Sequence, residues 1–203
     1  MSRDQASDLL ARTAVGLMFA LLSVNLFQDF TRTHRVTGLL LLVGEALVVL
    51  LTIVRRRAER VDRSALVMAI TTISLLGPPL FRATQKGGLV PDEVTAVVSI
   101  AGLALVIAGK LTLGRSFGIV PANRGVVAQG PYRLVRHPIY AGYLVTHFAF
   151  LAAHPTPMNL AIVIVSDSAL VLRALFEERV LEGDERYRAY CTRVGWHLVP
   201  GVF

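Results

Sequence analysis

Long apolar runs alternate with short polar connections along this chain, the pattern of helices that cross a bilayer repeatedly. Six runs stand out: Leu9 to Gln28, Val36 to Val54, Ala65 to Phe81, Glu93 to Leu113, Pro138 to Ala153 and Met158 to Phe176. At a rise of about 1.5 Å per residue, about 20 residues cross a hydrocarbon layer about 30 Å thick, and most of the runs approach that length. The third contains Gly77-Pro78-Pro79. Proline lacks an N–H and clashes with the preceding turn, so a kink or a helix end is predicted there. The fifth run is short, and His154-Pro155-Thr156-Pro157 after it leaves room only for a tight turn, which predicts a hairpin of the last two helices. Beyond Glu177 the chain turns polar. Leu181, Asp184, Tyr187, Tyr190 and Val194 still recur at helical spacing, predicting a short amphipathic interfacial helix that ends at Gly195. The expected fold is an all-α polytopic membrane bundle of about six transmembrane helices with a cytosolic C-terminal tail. No repeat or linker breaks the chain, so residues 1–203 are read as one domain, with four helices in 1–113 and a catalytic region in 114–203.

Composition supports a bilayer setting: 54% of the 203 residues are hydrophobic and only 17% are charged, too few charges to keep a soluble domain dispersed. The first run reads as a retained helix and not a secretory signal, because Arg12 interrupts its start and no small-residue cleavage pattern follows. The single cysteine, Cys191, leaves no internal disulfide and no CxxC pair, and no metal centre is expected. A net charge of +7 raises the question of nucleic acid, but the basic residues sit in short runs between apolar segments, not on one basic and aromatic face. They read as topology signals. Arg55, Arg56, Arg57, Arg60 and Arg63 place the second connection in the cytosol, and alternation then leaves only Arg32, Arg35, Arg82 and Lys86 outside. Both termini and the connection from Gly114 to Arg136 are thereby expected to be cytosolic. All but Lys86 and Lys110 of the 21 basic residues are arginine, an association with bacteria of GC-rich genome, so the expected location is a bacterial inner membrane.

Candidate chemistry concentrates in two stretches. In the first, Gly130 to Gly142, Pro138 suits the first turn of a helix and leaves His137 at its cap. The free N–H groups of that turn, with Arg136 beside them, suit a carboxylate. Tyr140 and Gly142 follow, the glycine permitting close approach of a ligand or another backbone. The second stretch is Glu177-Glu178, which the hairpin returns to the surface where His137 begins its helix. A cationic amino group and ribose hydroxyls need acidic acceptors, and a carboxylate needs N–H donors; the two stretches supply both.

Arg136-His137-Pro138-x-Tyr140-x-Gly142, preceded by Gly130-x-Tyr132 and followed by Glu177-Glu178-x-x-Leu181, Tyr187-x-x-Tyr190, Val194 and Pro200, resembles the isoprenylcysteine carboxyl methyltransferase and phospholipid methyltransferase superfamily. The likeness runs over roughly the last 90 residues, from Leu113 onward. It implies a methyltransferase whose S-adenosylmethionine is enclosed by the last two helices, the loop before them and the tail. In its terms the cofactor-binding residues are Gly130, Tyr132, His137, Tyr140, Gly142, Glu177, Glu178, Tyr187 and Tyr190, and the catalytic ones Arg136, His137 and Glu178. No GxGxxG follows a strand, so such a site must be built in the membrane. Family members commonly carry an arginine between the valine and proline of the tail, where this chain has Gly195, Trp196 and His197. Methyl transfer needs alignment and exclusion of water. An ionised acceptor needs no base, and Arg136 would orient it; an amine or thiol must lose a proton, and His137 would take it. The acceptor is expected to be lipid-like or small, among membrane lipids.

Simpler readings exist for single residues: Arg136 as a topology anchor, Glu177 as an ion-pair partner of Arg173, Tyr187 and Tyr190 as interfacial aromatics. Two other functions fit a helical membrane protein, an NADPH-dependent reductase of the sterol reductase type and a non-catalytic lipid-binding protein. Basic residues would be expected in the reductase where Glu177-Glu178 stand. Finally, Glu45, His147 and Asp167 fall at similar depths in their helices, so they are expected to cluster near mid-membrane, with His147 and Asp167 in contact.

Overall fold

The computed structural model describes residues 13, 24, 50, 51, 54, 56, 58, 60–62, 64–82, 84 and 87–203. The first two expected spans and Glu45 lie outside them, apart from Thr13, Val24, Leu50, Leu51 and Val54, which are helical. The chain divides into two compact units, Met1–Arg55 and Arg56–Phe203.

Among the described residues, the second unit is built of helices with a single two-residue ladder, β1 (Arg60–Val61) antiparallel to β2 (Ala122–Asn123). Helix α1 (Ala65–Leu76) starts at Ser64, whose Oγ accepts from the Val67 N–H, and stops at Gly77 before a 3₁₀ turn over Pro78–Leu80. The expected break is therefore a helix end. Helix α2 (Asp92–Leu113) places Asp92 and Glu93 in its first turn and Lys110 in its last, charges that suit the helix dipole. A loop containing β2 and a 3₁₀ turn at Gly130–Arg133 leads to α3 (Pro138–Ala153), with Pro138 in its first turn as expected. Helix α4 (Pro157–Leu181) follows after three residues, so the hairpin forms. Asn159, fully buried, secures the turn: its side-chain amide donates to the carbonyls of His154 and Arg82 and accepts from the Arg82 N–H.

Packing does not follow chain order. Helix α3 packs most closely on α2, and α4 sits between α3 and α1. The α2–α3 crossing is tight because both helices present glycine. A Cβ on Gly142 would lie 2.6 Å from the Gly102 carbonyl oxygen, and one on Gly102 would lie 2.9 Å from the Gly142 carbonyl oxygen. Small residues at such crossings let backbones approach in a medium that offers no hydrophobic drive between helices.

The distribution of polarity also fits a bilayer. Thr71, Ser74, Ser166 and Asp167 are buried within the bundle, while Val97, Ile100 and Leu111 of α2 and Leu160, Ile164, Val165 and Leu172 of α4 are exposed. Two helices, Asp92–Ser116 and Pro157–Leu181, are long and apolar enough to cross a membrane; Ala65–Leu80 and Pro138–Ala153 are apolar but shorter. At 25 residues, α4 is about 37 Å long, so about its last turn would project beyond a 30 Å core.

The tail helix α5 (Glu185–Cys191) is shorter than the expected one and ends at Thr192 instead of Gly195. Asp184 caps it, accepting from the Arg186 N–H at 2.9 Å and from the Asn123 side-chain amide at 3.1 Å. These bonds hold the Asp184 carboxyl below its usual range, the Asn123 bond contributing most. The aromatic face of α5 meets protein: Tyr187, Tyr190 and Val194 are buried in one cluster with Tyr132 of the preceding loop. The simpler reading of Tyr187 and Tyr190 as exposed interfacial aromatics is corrected accordingly, since both are buried against the loop before α3.

Candidate active site

At the base of the hairpin, α3 begins where α4 ends, and the side chains singled out in sequence meet there. Glu178 is the hub. Its Oε2 accepts from Arg136 Nη1 at 2.9 Å, and its Oε1 lies 2.9 Å from His137 Nε2 and 2.7 Å from His197 Nδ1. An ionised carboxylate only accepts, so His137 must carry a proton on Nε2 and His197 on Nδ1. The carboxylate is buried, its side chain 7% exposed, and three donors from two segments compensate its desolvation.

Arg136 does more than anchor topology. Its Nε donates to the Val194 carbonyl at 2.8 Å and its Nη2 to that of Cys191 at 3.3 Å, so the guanidinium ties α4 to the tail. Burial alone would lower its pKa, but the adjacent Glu178 carboxylate outweighs this and raises it. The backbone continues the seam: the Arg136 and His137 N–H groups donate to the carbonyls of Trp196 and His197, each at 2.9 Å. The Arg136 guanidinium thus holds Glu178 and the tail while lining the adjacent cavity.

One turn along, the Tyr140 hydroxyl donates to Glu177 Oε2 at 2.7 Å, and the Tyr140 ring stacks 5.4 Å from that of His137. The Arg173 guanidinium lies over the Tyr140 ring, 5.2 Å from its centroid, and donates to the Ile119 carbonyl. The ion pair that spacing allows between Arg173 and Glu177 is not formed. Tyr132 and Tyr190 are joined by a 2.6 Å bond from the Tyr190 hydroxyl to the Tyr132 carbonyl. Burial pushes the Tyr187 phenol up, with Glu178 adding to the effect, so it remains a protonated donor. Its hydroxyl is buried beside the Cys191 thiol. Tyr187 also lines an open cavity of about 520 Å³ with Arg136, Glu182, Arg188 and Cys191.

The structure thus brings together Arg136, His137, Glu178, Tyr140 and Glu177, with Tyr132, Tyr187 and Tyr190 in the adjoining cluster. Gly130 and Gly142 face elsewhere. Gly142 serves the α2 crossing, and Gly130, at φ 53°, turns the chain against Thr112, whose Oγ1 would lie 2.8 Å from a Cβ there. Sequence reasoning did not place His197 in the cluster; the only signal was that it stands in the stretch where the resembling family carries an arginine. Asn123 gave no signal at all, and Arg173 only that of a possible ion-pair partner of Glu177.

Mid-bundle, the expected contact is present: His147 Nδ1 lies 2.6 Å from Asp167 Oδ1, both residues 7% exposed. Asp167 Oδ2 has no partner among the described residues. His147→Leu alone should destabilise the protein by about 3–5 kcal/mol, since it strands a buried carboxyl, whereas replacing both residues by leucine should recover most of that loss. Thermal unfolding of the two single variants and the double variant checks this; a double variant as unstable as the singles would mean that the pair does more than neutralise itself.

Comparison of the chain with curated proteins found no match. The model of the phospholipid methyltransferase family matches residues 95–187, from the first turn of α2 into α5, and so takes in the Arg136–His137–Glu178 cluster. That family is one of methyltransferases acting on lipid-like substrates, in keeping with apolar helices that associate this chain with a membrane. Residues 95–187 thus match a family of the isoprenylcysteine carboxyl and phospholipid methyltransferase superfamily, the one that the sequence motifs resemble.

Proposed function

We propose that residues 114–203, within a single membrane domain, bind S-adenosylmethionine and transfer its methyl group to a lipid-like or small acceptor at the cytosolic membrane face. The observation that carries this reading is the Glu178 cluster, where a buried carboxylate, two histidines and an arginine gather from loop, hairpin and tail at one helix start. Beside it lies the cavity of about 520 Å³, a volume within the ordinary range of small-molecule sites.

The residues fit a zwitterionic cofactor. Glu182 and Arg188 on the cavity wall supply opposite charges for an ammonium and a carboxylate. The bound cofactor would bring an electrophilic methyl group. The protein's own share is alignment and exclusion of water, which the docked tail provides by closing over the start of α3. Where the acceptor must lose a proton, His137 can receive it on the ring nitrogen not engaged by Glu178, and Glu178 would hold the resulting cation. The placement of basic residues at the helix ends favours cytosolic termini, and the excess of arginine over lysine favours a bacterial cell. A reporter fused after Phe203 and active only outside would overturn that orientation.

Calorimetric titration of the protein in lipid with S-adenosylmethionine, and with NADPH as the competing ligand, tests the assignment. Binding of the first and not the second is expected. His137→Ala should weaken it at least tenfold, equivalent to about 1.4 kcal/mol, and unchanged affinity in the folded variant would remove His137 from the site. Incubation with radiolabelled S-adenosylmethionine and a host lipid extract would identify the acceptor.

A further inference from the structure

Beyond the Glu178 cluster the tail closes on itself. Val199-Pro200-Gly201-Val202 is a tight turn in which the Val202 N–H donates to the Val199 carbonyl at 3.1 Å, and Gly201, at φ 82°, takes the left-handed conformation that the third place of a type II turn needs. The Phe203 N–H donates to the same carbonyl, and the Leu198 and Val199 N–H groups donate to the Phe203 carbonyl. The ring of Phe203 is thereby returned onto that of His197, stacked at 4.7 Å. Leu198 is buried in this loop, but Trp196, Val199, Val202 and Phe203 are exposed. Leu134 is exposed as well, two residues before Arg136, whose N–H donates to the Trp196 carbonyl. Five large apolar side chains thus stand uncovered around the start of α3.

Depth and charge indicate what covers them. His197, bonded to Glu178, holds the patch level with the last turn of α4, where a 25-residue helix leaves a core about 30 Å thick. That is headgroup depth, the layer in which tryptophan is enriched because its ring is apolar and its N–H needs a polar partner. Exposed Arg133 and Arg193 flank the patch, one residue before Leu134 and three before Trp196. No aspartate or glutamate stands between Glu93 and Asp167 or after Glu185, so the two segments that carry the patch hold basic charge only. Anionic lipid matches that charge, and its acyl chains match the apolar side chains.

We propose that Leu134, Trp196, Val199, Val202 and Phe203 seat in the headgroup layer on the side of the membrane where α3 begins, with Arg133 and Arg193 on the phosphates of anionic lipid, and that this seat keeps His197 on Glu178. The surface does not rest on methyl transfer, so its test needs neither cofactor nor acceptor.

Trp196 is the one tryptophan of the chain, and its emission therefore reports this surface alone. In full-length protein reconstituted into phosphatidylcholine and phosphatidylglycerol, Trp196 is expected to lose most of its emission when the acyl chains carry bromine next to the headgroup. It should lose little when the bromine sits near the chain ends or when iodide is added to the water. Val202→Glu, at an exposed position, should restore emission in brominated lipid and open Trp196 to iodide. Relative to neutral vesicles, phosphatidylglycerol should slow hydrogen exchange in residues 196–203 about fivefold for each of the two arginines, a gain that Arg133→Gln/Arg193→Gln should lose. Wild-type quenching by iodide and not by brominated lipid overturns the proposal, and so does strongest quenching by bromine at the chain ends. Protection from both quenchers also overturns it, because protein would then cover the patch. Quenching that Val202→Glu leaves unchanged would mean that Trp196 reaches lipid without its neighbours, and equal exchange in the two lipids would remove the match of charge; either result sinks the idea. The wild-type measurements decide the matter even if a variant fails to fold.

Discussion

Glu178→Ala is expected to release the tail from α3, to destabilise the protein by about 3–5 kcal/mol and to weaken S-adenosylmethionine binding at least tenfold. The loss is large because one carboxylate serves three donors, Arg136, His137 and His197, and its removal leaves a guanidinium and two imidazoles facing a buried gap. Glu178→Gln should fare little better: its amide nitrogen would oppose one of the same donors, and no negative charge would remain to hold Arg136. The tail should become more accessible to protease in both variants, since Arg136 also grips the carbonyls of Cys191 and Val194. Thermal unfolding in lipid, limited proteolysis and calorimetry measure the three effects. A folded Glu178→Ala variant with its tail protected and its affinity intact would show that the cluster is neither the fastening nor the site.

Gly142→Leu is expected to prevent the folded bundle from forming, and Gly142→Ala to cost about 1–3 kcal/mol. The new Cβ alone would lie 2.6 Å from the Gly102 carbonyl oxygen and 3.0 Å from the Val106 backbone nitrogen, and backbone cannot step aside as a flexible side chain can. Helices α2 and α3 would have to separate, which would lift the start of α3, and His137 with it, away from Glu178. Gly195→Ala is the matched control, because a Cβ there meets nothing within 4 Å, and it should unfold like the wild type. If Gly142→Leu unfolds at the wild-type temperature, the two helices do not cross at glycine-to-glycine distance.

The candidate site was legible where local chemistry wrote it. Pro138 announced a helix start, Gly77-Pro78-Pro79 a helix end, and a four-residue turn a hairpin whose return brought Glu178 to His137 across 41 residues of sequence. The depth of His147 and Asp167 below that turn predicted their contact for the same reason, since helical rise converts residue counts into heights.

Sequence by itself therefore determined the apolar helices, where α1 and α3 break or begin, the pairing of α3 with α4 at both ends, and the residue types gathered at the base. The tertiary structure alone decided which helix lies beside which, that Gly142 meets α2, that Tyr187 and Tyr190 pack on Tyr132, and that His197 closes the Glu178 cluster. The reason is physical. In a bilayer the faces turned to lipid and to neighbouring helices are both apolar, so the periodicity that marks a buried face in water names no partner here. Helix neighbours are chosen instead by small residues and single polar contacts, and the tail is fastened largely through backbone carbonyls, which every residue carries and no sequence pattern distinguishes.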